Sequence, residues 1–187
     1  MRLFVGIPLA PTALSELSAV VARLRSGGDG LRWMPPESWH ITLQFLGNAI
    51  AEQYDGLPAR LGEVHAARVP IHLGDLGLFD RAGMFFADVA LTPDLVSLAA
   101  RVASATSHCG FVPETRPFHP HINLARAKGQ FRSQPLHVLQ QRVERRPTFT
   151  PFAASEFLLY ESHLSPAGSA YEVRHCFRIG VSPTPAR

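Results

Sequence analysis

The sequence predicts an α+β protein whose strands pair mainly antiparallel. Three observations support this class: segments that alternate apolar and polar residues, segments with apolar residues at helical spacing, and the turn Asp80-Arg81-Ala82-Gly83, which joins two strand-like segments as in a hairpin. Hairpin-like connections beside helices are typical of the α+β class. No linker rich in glycine, serine or charge divides the 187 residues, so residues 1–181 are predicted to form one domain.

The first third of the chain is predicted to hold three strands and two helices. The first helix is predicted from apolar residues at helical spacing, which are Leu14, Leu17, Val20, Val21 and Leu24. Gly27-Gly28 ends this helix, and Pro35 to Ser38 is predicted as a turn. The predicted strands cover residues 3–8, 31–33 and 40–46, and the predicted helices cover residues 11–25 and 51–67.

The rest of the chain continues the same mixture. Strands at 69–78 and 84–91 flank the hairpin turn, and a helix at 93–109 ends at Gly110, a residue type suited to a helix C-terminus. The remaining predicted elements are strands at 121–125, 149–152, 156–163 and 171–181, a helix at 135–145, and a frayed tail at 182–187.

Composition permits an anionic ligand but does not demand one. The formal net charge is +3, a mild basic excess. No apolar segment reaches the length of about 18 residues that a membrane helix needs, and Pro8 interrupts the short apolar segment at the N-terminus, so we predict a cytoplasmic protein. Cys109 and Cys176 form no CxxC pair, which indicates neither a disulfide framework nor a zinc site.

One tetrapeptide pattern occurs twice. His40-Ile41-Thr42-Leu43 and His121-Ile122-Asn123-Leu124 share a histidine, an isoleucine, a small hydrogen-bonding residue and a leucine. In a strand, residues two apart point to the same face. Each histidine is therefore predicted to share a polar face with Thr42 or Asn123, while the isoleucine and leucine pack on the other side. A single histidine in a strand is more often structural, but two matching tetrapeptides favour a functional pair.

Two such strands facing each other would surround a small anion with two imidazoles and two neutral donors. One neutral imidazole could remove a proton from an attacking oxygen, and a protonated one could give a proton to the leaving oxygen. Hydroxyl and amide donors would bind the non-bridging oxygens of a phosphodiester as charge develops. This chemistry requires no metal and no cofactor.

The paired motif resembles that of the two-histidine phosphoesterases, and in particular of the RNA 2′,3′-cyclic phosphodiesterases, also called 2′-5′ RNA ligases. The family motif is His-x-Thr/Ser-x; its first copy commonly continues into Phe-Leu-Gly and its second into Leu-Ala-Arg, as at 40–47 and 120–126 here. Further segments resemble the family at residues 2–7, 76–79 and 158–162, and at Tyr171.

The resemblance implies a bilobal fold with pseudo-twofold symmetry, in which two mainly antiparallel sheets with flanking helices surround a central cleft. It implies His40 and His121 as the acid–base pair, Thr42 as a phosphate ligand, and Arg126 as a contact to the substrate phosphate or base. We expect His121 to be the base and His40 the acid. Asn123 departs from the family's Thr or Ser, but its amide can still donate to a phosphate oxygen.

Several side chains near the motifs have two interpretations. His119 could bind zinc with His121, although a zinc site needs more ligands, and we expect it at the rim of the substrate site. Phe4 and Tyr171 could stack on a nucleobase or pack in the core, and Trp39 and Phe45 are predicted in the core. Two cations that flank the second motif, Arg116 and Lys128, could attract an anion or be solvated surface charge.

The predicted function is hydrolysis of a terminal 2′,3′-cyclic phosphate on RNA to a 2′-phosphomonoester. The reverse reaction, with an RNA 5′-hydroxyl as nucleophile, would form a 2′-5′ linkage without ATP. One alternative keeps the chemistry on a small substrate, such as ADP-ribose 1″,2″-cyclic phosphate, or on a 2′-5′ oligonucleotide. The other alternative is a nucleotide- or RNA-binding module that has lost catalysis because it has Asn123 in the second motif. Nothing in the sequence demands more than a monomer.

Overall fold

The computed structural model describes residues 1–127, 133–143, 146–165 and 168–180. Ten strands and four α-helices lie within them. In chain order they are β1 (Arg2–Pro8), α1 (Pro11–Leu24), β2 (Leu31–Trp33), a 3-10 turn (Pro36–Ser38), β3 (His40–Asn48), α2 (Ala51–Gly62), β4 (Val69–Ile71), β5 (Leu73–Phe79), β6 (Met84–Val89), α3 (Pro93–Ser107), β7 (His121–Ala127), α4 (Ser133–Gln141), β8 (Phe152–Ala154), β9 (Glu156–Ser165) and β10 (Gly168–Arg178).

Two four-stranded sheets form the two lobes. Their strand orders are β10-β9-β1-β3 and β2-β7-β6-β5, and β4 with β8 forms a further two-stranded sheet. Every strand pairing within the described residues is antiparallel. The series β9-β1-β3 in one lobe corresponds to β5-β6-β7 in the other, so each motif strand lies beside an equivalent partner. The α+β two-lobed fold is therefore confirmed.

The helices pack through the apolar faces that their spacing predicts. The buried residues of α1 are Ala13, Leu17, Val20, Val21 and Leu24, and those of α3 are Leu95, Leu98, Ala99, Val102 and Thr106. Helix α3 also contacts β3, where the buried Thr106 hydroxyl donates to Oε1 of Gln44 at 2.7 Å. The helices thus cover the apolar sides of the sheets, and the opposite faces are left for the motif side chains.

The predicted strand at 69–78 is wrong, because two strands in different sheets occupy that segment. Val69–Ile71 pairs with β8, whereas Leu73–Phe79 pairs with β6. The carbonyl of His72 between them accepts a hydrogen bond from the amide of Ala90. The apolar residues Val69, Ile71 and Leu73 alternate across this break, so the alternation does not mark the point where the chain changes sheets.

Other boundaries shift by a few residues. Helix α2 ends at Gly62 rather than at 67, because Glu63 and Val64 close a turn back to Arg60 and Leu61 that leads into β4. The strand predicted at 149–152 is β8, three residues later at its start. The tail at 182–187 lies outside the described residues. None of the described helices combines the length and the apolar character needed to cross a bilayer.

Candidate active site

The two motifs lie on β3 and β7, which contact each other between the lobes. Along each motif the burial alternates as a strand requires. Ile41, Leu43, Ile122 and Leu124 are buried, while the two histidines, Thr42 and Asn123 are half-buried. Each motif therefore presents an imidazole and a hydrogen-bonding side chain on one face and anchors itself in the core by the other.

Both motif histidines are held in the same way. Nδ1 of His40 lies 2.8 Å from the carbonyl oxygen of Ser38, and Nδ1 of His121 lies 2.8 Å from that of His119. A carbonyl can only accept, so Nδ1 of each ring carries the proton and donates it. In the neutral state Nε2 of each ring is then the unprotonated nitrogen, which is the form a general base needs.

Gly6 on β1 makes room for the first histidine. A Cβ added there would lie 3.0 Å from the carbonyl oxygen of Ile41 and 3.3 Å from Cδ2 of His40. Contacts this short would displace backbone as well as the imidazole, so the close approach of β1 to β3 requires glycine at this position.

Aromatic rings surround His40. Phe4 stacks on it with 4.5 Å between ring centroids, and the Tyr171 and Tyr160 rings lie 5.1 Å and 5.5 Å away. Phe4 is only 3% exposed, which leaves its ring no free face for a base. Of its two sequence interpretations, core packing is confirmed and the base stack is wrong. Tyr171 is half-buried at the edge of this cluster.

His121 has different neighbours. Phe79 and Phe86 contact it edge-on, with 5.1 Å and 5.6 Å between ring centroids. The His119 ring lies 6.0 Å from it, is 51% exposed, and bonds to the Asp88 carboxylate at 3.0 Å. The half of the site around His40 is therefore aromatic, whereas the half around His121 combines aromatic rings with charged groups.

A β-bulge follows each motif at an equivalent point. Gly6 pairs with Thr42 but Val5 pairs with Gln44, which leaves Leu43 as an extra residue. In the other lobe the pairing skips Leu124 in the same way, between Asn123 and Ala125. A bulge reverses which face the following residues occupy. The fifth residue after each histidine consequently returns to the histidine's face.

These fifth residues are Phe45 and Arg126. Phe45 is 68% exposed, so its predicted core position is wrong, and its ring lies 6.2 Å from that of Phe4. The prediction for Trp39, 5% exposed, is confirmed. Sequence reasoning missed Phe45 because it assumed regular alternation. The available signal was spacing: Phe45 follows His40 by the same interval as Arg126 follows His121.

Asn123 and Arg126 both lie beside His121. Oδ1 of Asn123 is buried and has no hydrogen-bond partner among the described residues. Arg126 is close enough that its positive charge acts on the pKa of His121. Of the two flanking cations, Arg116 is exposed and pairs with Glu114 at 2.5 Å, and Lys128 lies outside the described residues.

Burial disfavours the charged form of both histidines. It lowers the pKa of His40 to about 4; the Ser38 carbonyl opposes this shift and the charge of His121 adds to it. Burial also lowers the pKa of His121, against the His119 carbonyl and the Asp88 carboxylate. Both imidazoles are therefore neutral at pH 7 in the empty cleft.

The pKa of His40 falls from 6.5 to about 4 on folding. We therefore expect the contribution of neutral His40 to the free energy of unfolding to be complete above pH 6.5 and lost as pH falls toward 4. The unfolded chain binds the proton more tightly in this window, so protonation favours unfolding. Between pH 7 and pH 4.5, wild type should lose about 2 to 3 kcal/mol more unfolding free energy than His40→Gln. Urea titrations at both pH values measure this difference. Equal losses in the two proteins would contradict it.

A cluster of possible metal ligands lies on β9 and β10, outside the two motif strands. Glu161, His163 and Glu172 on β9 and β10 have ligand atoms within 4.8 Å of one another. These groups already bind each other and Arg174: Nη1 of Arg174 lies 3.7 Å from Glu161 and 2.9 Å from Glu172, and His163 lies 3.1 Å from Glu172. The neutralised cluster explains how two glutamates can stand opposite each other in the strand pairing.

The chain has curated relatives that are named RNA 2′,3′-cyclic phosphodiesterases. The chain is 28% identical to an RNA 2′,3′-cyclic phosphodiesterase of Thermotoga maritima over 180 residues, covering 92% of each chain. It is 28% identical to the Escherichia coli protein of the same name over 172 residues, covering 91% of this chain and 92% of that protein.

Solved structures agree with these relatives. Escherichia coli LigT complexed with 3′-AMP superposes with a TM-score of 0.78 at 25% identity, covering 95% of this chain and 97% of that one. A protein of Thermus thermophilus gives a TM-score of 0.77 at 25% identity over 96% of this chain and 98% of that one. The family model for LigT-like phosphoesterases matches twice, at residues 7–86 and 87–171. One motif falls in each match, and the chain belongs to the LigT-like phosphoesterase family.

Proposed function

We propose that this protein hydrolyses the terminal 2′,3′-cyclic phosphate of RNA to a 2′-phosphomonoester, using His40 and His121 as the acid–base pair. The observation that carries the proposal is the matched tethering of the two imidazoles. Each donates its Nδ1 proton to a backbone carbonyl at 2.8 Å, on facing motif strands. Nε2 of each ring is thereby available for proton transfer at the phosphate.

The proposed reaction is one displacement at phosphorus. Nε2 of His121 takes a proton from water as its oxygen attacks the phosphorus, and the bond from phosphorus to O3′ breaks. O3′ takes a proton from Nε2 of His40, which must enter the step as the imidazolium, and this leaves a 3′-hydroxyl and a 2′-phosphate. The two imidazoles supply both proton transfers, so the mechanism has no step that requires a metal ion. With an RNA 5′-hydroxyl in place of water, the same step would form a 2′-5′ linkage.

The proposed roles make His121 the base and His40 the acid, and burial, the largest influence on both pKa values, holds both imidazoles neutral without a bound anion. Arg126 lies near His121 and offsets the negative charge of a bound phosphate, which favours the neutral imidazole. Among the described residues, His121 is the one group whose positive charge acts on the pKa of His40. A bound phosphodiester anion would raise the pKa of His40 above its low value in the free protein. His40 could then be protonated and act as the acid.

Donors around the cleft suit the non-bridging oxygens of a phosphate. Thr42 and Asn123 share the faces of the two histidines, and with Oδ1 of Asn123 buried, Nδ2 is the amide atom left for a phosphate oxygen. Arg126 is proposed to bind the phosphate by its guanidinium. The aromatic half, with Phe45 exposed and Tyr171 beside His40, is proposed to take the terminal nucleoside.

The proposal is tested with an oligonucleotide that ends in a 2′,3′-cyclic phosphate. We expect the 2′-phosphomonoester as product, formed equally in EDTA. A 3′-phosphate product would contradict the proposed bond cleavage, and loss of turnover in EDTA would contradict the metal-free mechanism. Binding without turnover would favour a binding module, and turnover only of small cyclic phosphates would favour the small-substrate alternative.

Phe45→Ala should reduce kcat/KM on this RNA about tenfold, since stacking one base on an aromatic ring contributes about 1–3 kcal/mol. Phe45→Trp should keep most of the activity. The comparison substrate carries an abasic ribose at its 2′,3′-cyclic phosphate end, and Phe45→Ala should leave its kcat/KM unchanged. Val138→Ala, which shortens another exposed apolar side chain on α4, serves as the control. An equal loss on both substrates would contradict base stacking.

A further inference from the structure

The second motif has a charged neighbour that, among the described residues, has no counterpart at the first motif. Asp88 on β6 pairs with His121 across the strands, and its Oδ1 accepts a hydrogen bond from Nε2 of His119 at 3.0 Å. The side chains of Asp88 and His119 are 42% and 51% exposed. Exposed pairs of this kind add little to the free energy of unfolding, so stability is a weak explanation for the contact.

His119 is coupled to His121 through its own backbone. Because its carbonyl accepts the Nδ1 proton of His121, the position of residue 119 determines how the His121 imidazole is oriented. Residues 111–120, which include His119 and lead into β7, contain neither helix nor strand. Two contacts from β6 tie the end of this segment down: the Asp88 side chain bonds to His119, and the Val89 amide donates to the Pro120 carbonyl at 3.2 Å.

The first motif anchors its acceptor carbonyl differently. Ser38 ends a 3-10 turn in which its amide and its hydroxyl both donate to the Pro35 carbonyl, at 2.9 Å and 2.7 Å. The Trp39 amide closes the same turn onto Pro36 at 3.1 Å. A local turn thus fixes the carbonyl that holds His40, whereas a contact across strands fixes the carbonyl that holds His121.

We propose that Asp88 and His119 are positioning residues for His121: the Asp88 carboxylate holds the His119 side chain, and the His119 carbonyl holds the His121 imidazole with Nε2 toward the phosphate. The inference rests on the proposed function, which makes His121 catalytic. It gives His119 a role through another residue, in place of the substrate contact that the sequence suggested.

The charges around His121 make this pair measurable. Within the part of the chain that the structure describes, four charged or titratable groups face it: His40 from β3, Asp88 from β6, Arg126 from β7, and His119. Burial is the largest influence on the pKa of His121 and lowers it. The charges of His119 and Arg126 also lower this pKa, and the Asp88 carboxylate raises it. Removing the carboxylate charge should therefore lower the pKa of His121 further.

Asp88→Ala and Asp88→Asn test the proposal, with Glu172→Gln as the matched control. Glu172 bonds to His163 in an equally exposed histidine–carboxylate pair at 3.1 Å, on β9 and β10 rather than on a motif strand. Asp88→Ala should lower kcat about tenfold with KM unchanged within about twofold, because the imidazole is misoriented while the substrate contacts remain. Asp88→Asn, which keeps an acceptor oxygen, should lower kcat less. NMR titration of the His121 imidazole should give a lower pKa in both variants, and Glu172→Gln should change neither quantity.

Two results would overturn the inference. One is a kcat and a His121 titration in both Asp88 variants that match wild type. The other is a rise in KM with kcat unchanged, which would make His119 a substrate contact. If wild type turns over no cyclic phosphate, the proposed function fails by itself. The NMR titration, made on the free protein, then still tests the inference: a pKa of His121 that is unchanged in both Asp88 variants overturns it.

Discussion

His40→Ala and His121→Ala should each reduce kcat on a cyclic-phosphate-ended RNA about 10²- to 10⁴-fold, the range for losing a general acid or base. In the proposed mechanism both proton transfers accompany one displacement, so the two residues act as a unit. The double variant should then be about as slow as the slower single variant, since such effects are strongly non-additive. Single-turnover rates of the three variants, with wild type as reference, measure this relation.

Two controls separate chemistry from folding. His163→Ala removes an exposed histidine outside the cleft and should keep the wild-type rate. Circular dichroism and urea unfolding should show that each variant is folded at pH 7, where both motif histidines are neutral. If either single variant retains activity near the wild-type level, that histidine is not a catalytic residue and the paired mechanism fails.

Arg126→Ala should lower kcat/KM about 10²- to 10³-fold, comparable to the loss of one donor to a developing oxyanion. The guanidinium is proposed to bind two phosphate oxygens at once, which a lysine ammonium cannot reproduce. Arg126→Lys keeps the charge and should recover only part of the activity. Steady-state kinetics of both variants test this role.

The matched control for Arg126 is an exposed arginine that already has an acidic partner. Arg116 pairs with Glu114 on the surface, and Arg116→Ala should leave kcat/KM near wild type. Raising the salt concentration separates a specific contact from general attraction, because distant charges are screened. A loss in Arg126→Ala that disappears in high salt would contradict direct phosphate binding.

Much of the fold was predictable because burial on one face imposes a period on the sequence. The apolar stripe of α1 and the hairpin around 80–83 follow this rule, and both are present. The break at His72 was not predictable in the same way. Residues on either side of it alternate alike, and only pairing with the distant strands β6 and β8 assigns them to different sheets.

The candidate site likewise has a part that the strand period predicts and a part that depends on pairing between distant strands. The strand period alone placed Thr42 with His40 and Asn123 with His121. Phe45 was misplaced because the bulge at Leu43 depends on the pairing with β1, which the sequence of β3 does not record. The Asp88–His119 contact was missed because the two residues are distant in sequence and meet only across β6 and β7.

The bulge in each motif strand also sets how many residues separate the histidine from the next side chain on its face. A regular strand places side chains on one face only at even separations, about 6.6 Å for every two residues. The extra leucine lets an odd separation, five residues, return to the same face. His40 and Phe45 pair with Pro8 and Phe4, which are four residues apart on β1, so deleting Leu43 would keep Phe45 on the cleft face at nearly the same distance from His40. The bulge thus lets each motif strand carry one additional buried leucine without moving its second cleft-facing side chain along the strand.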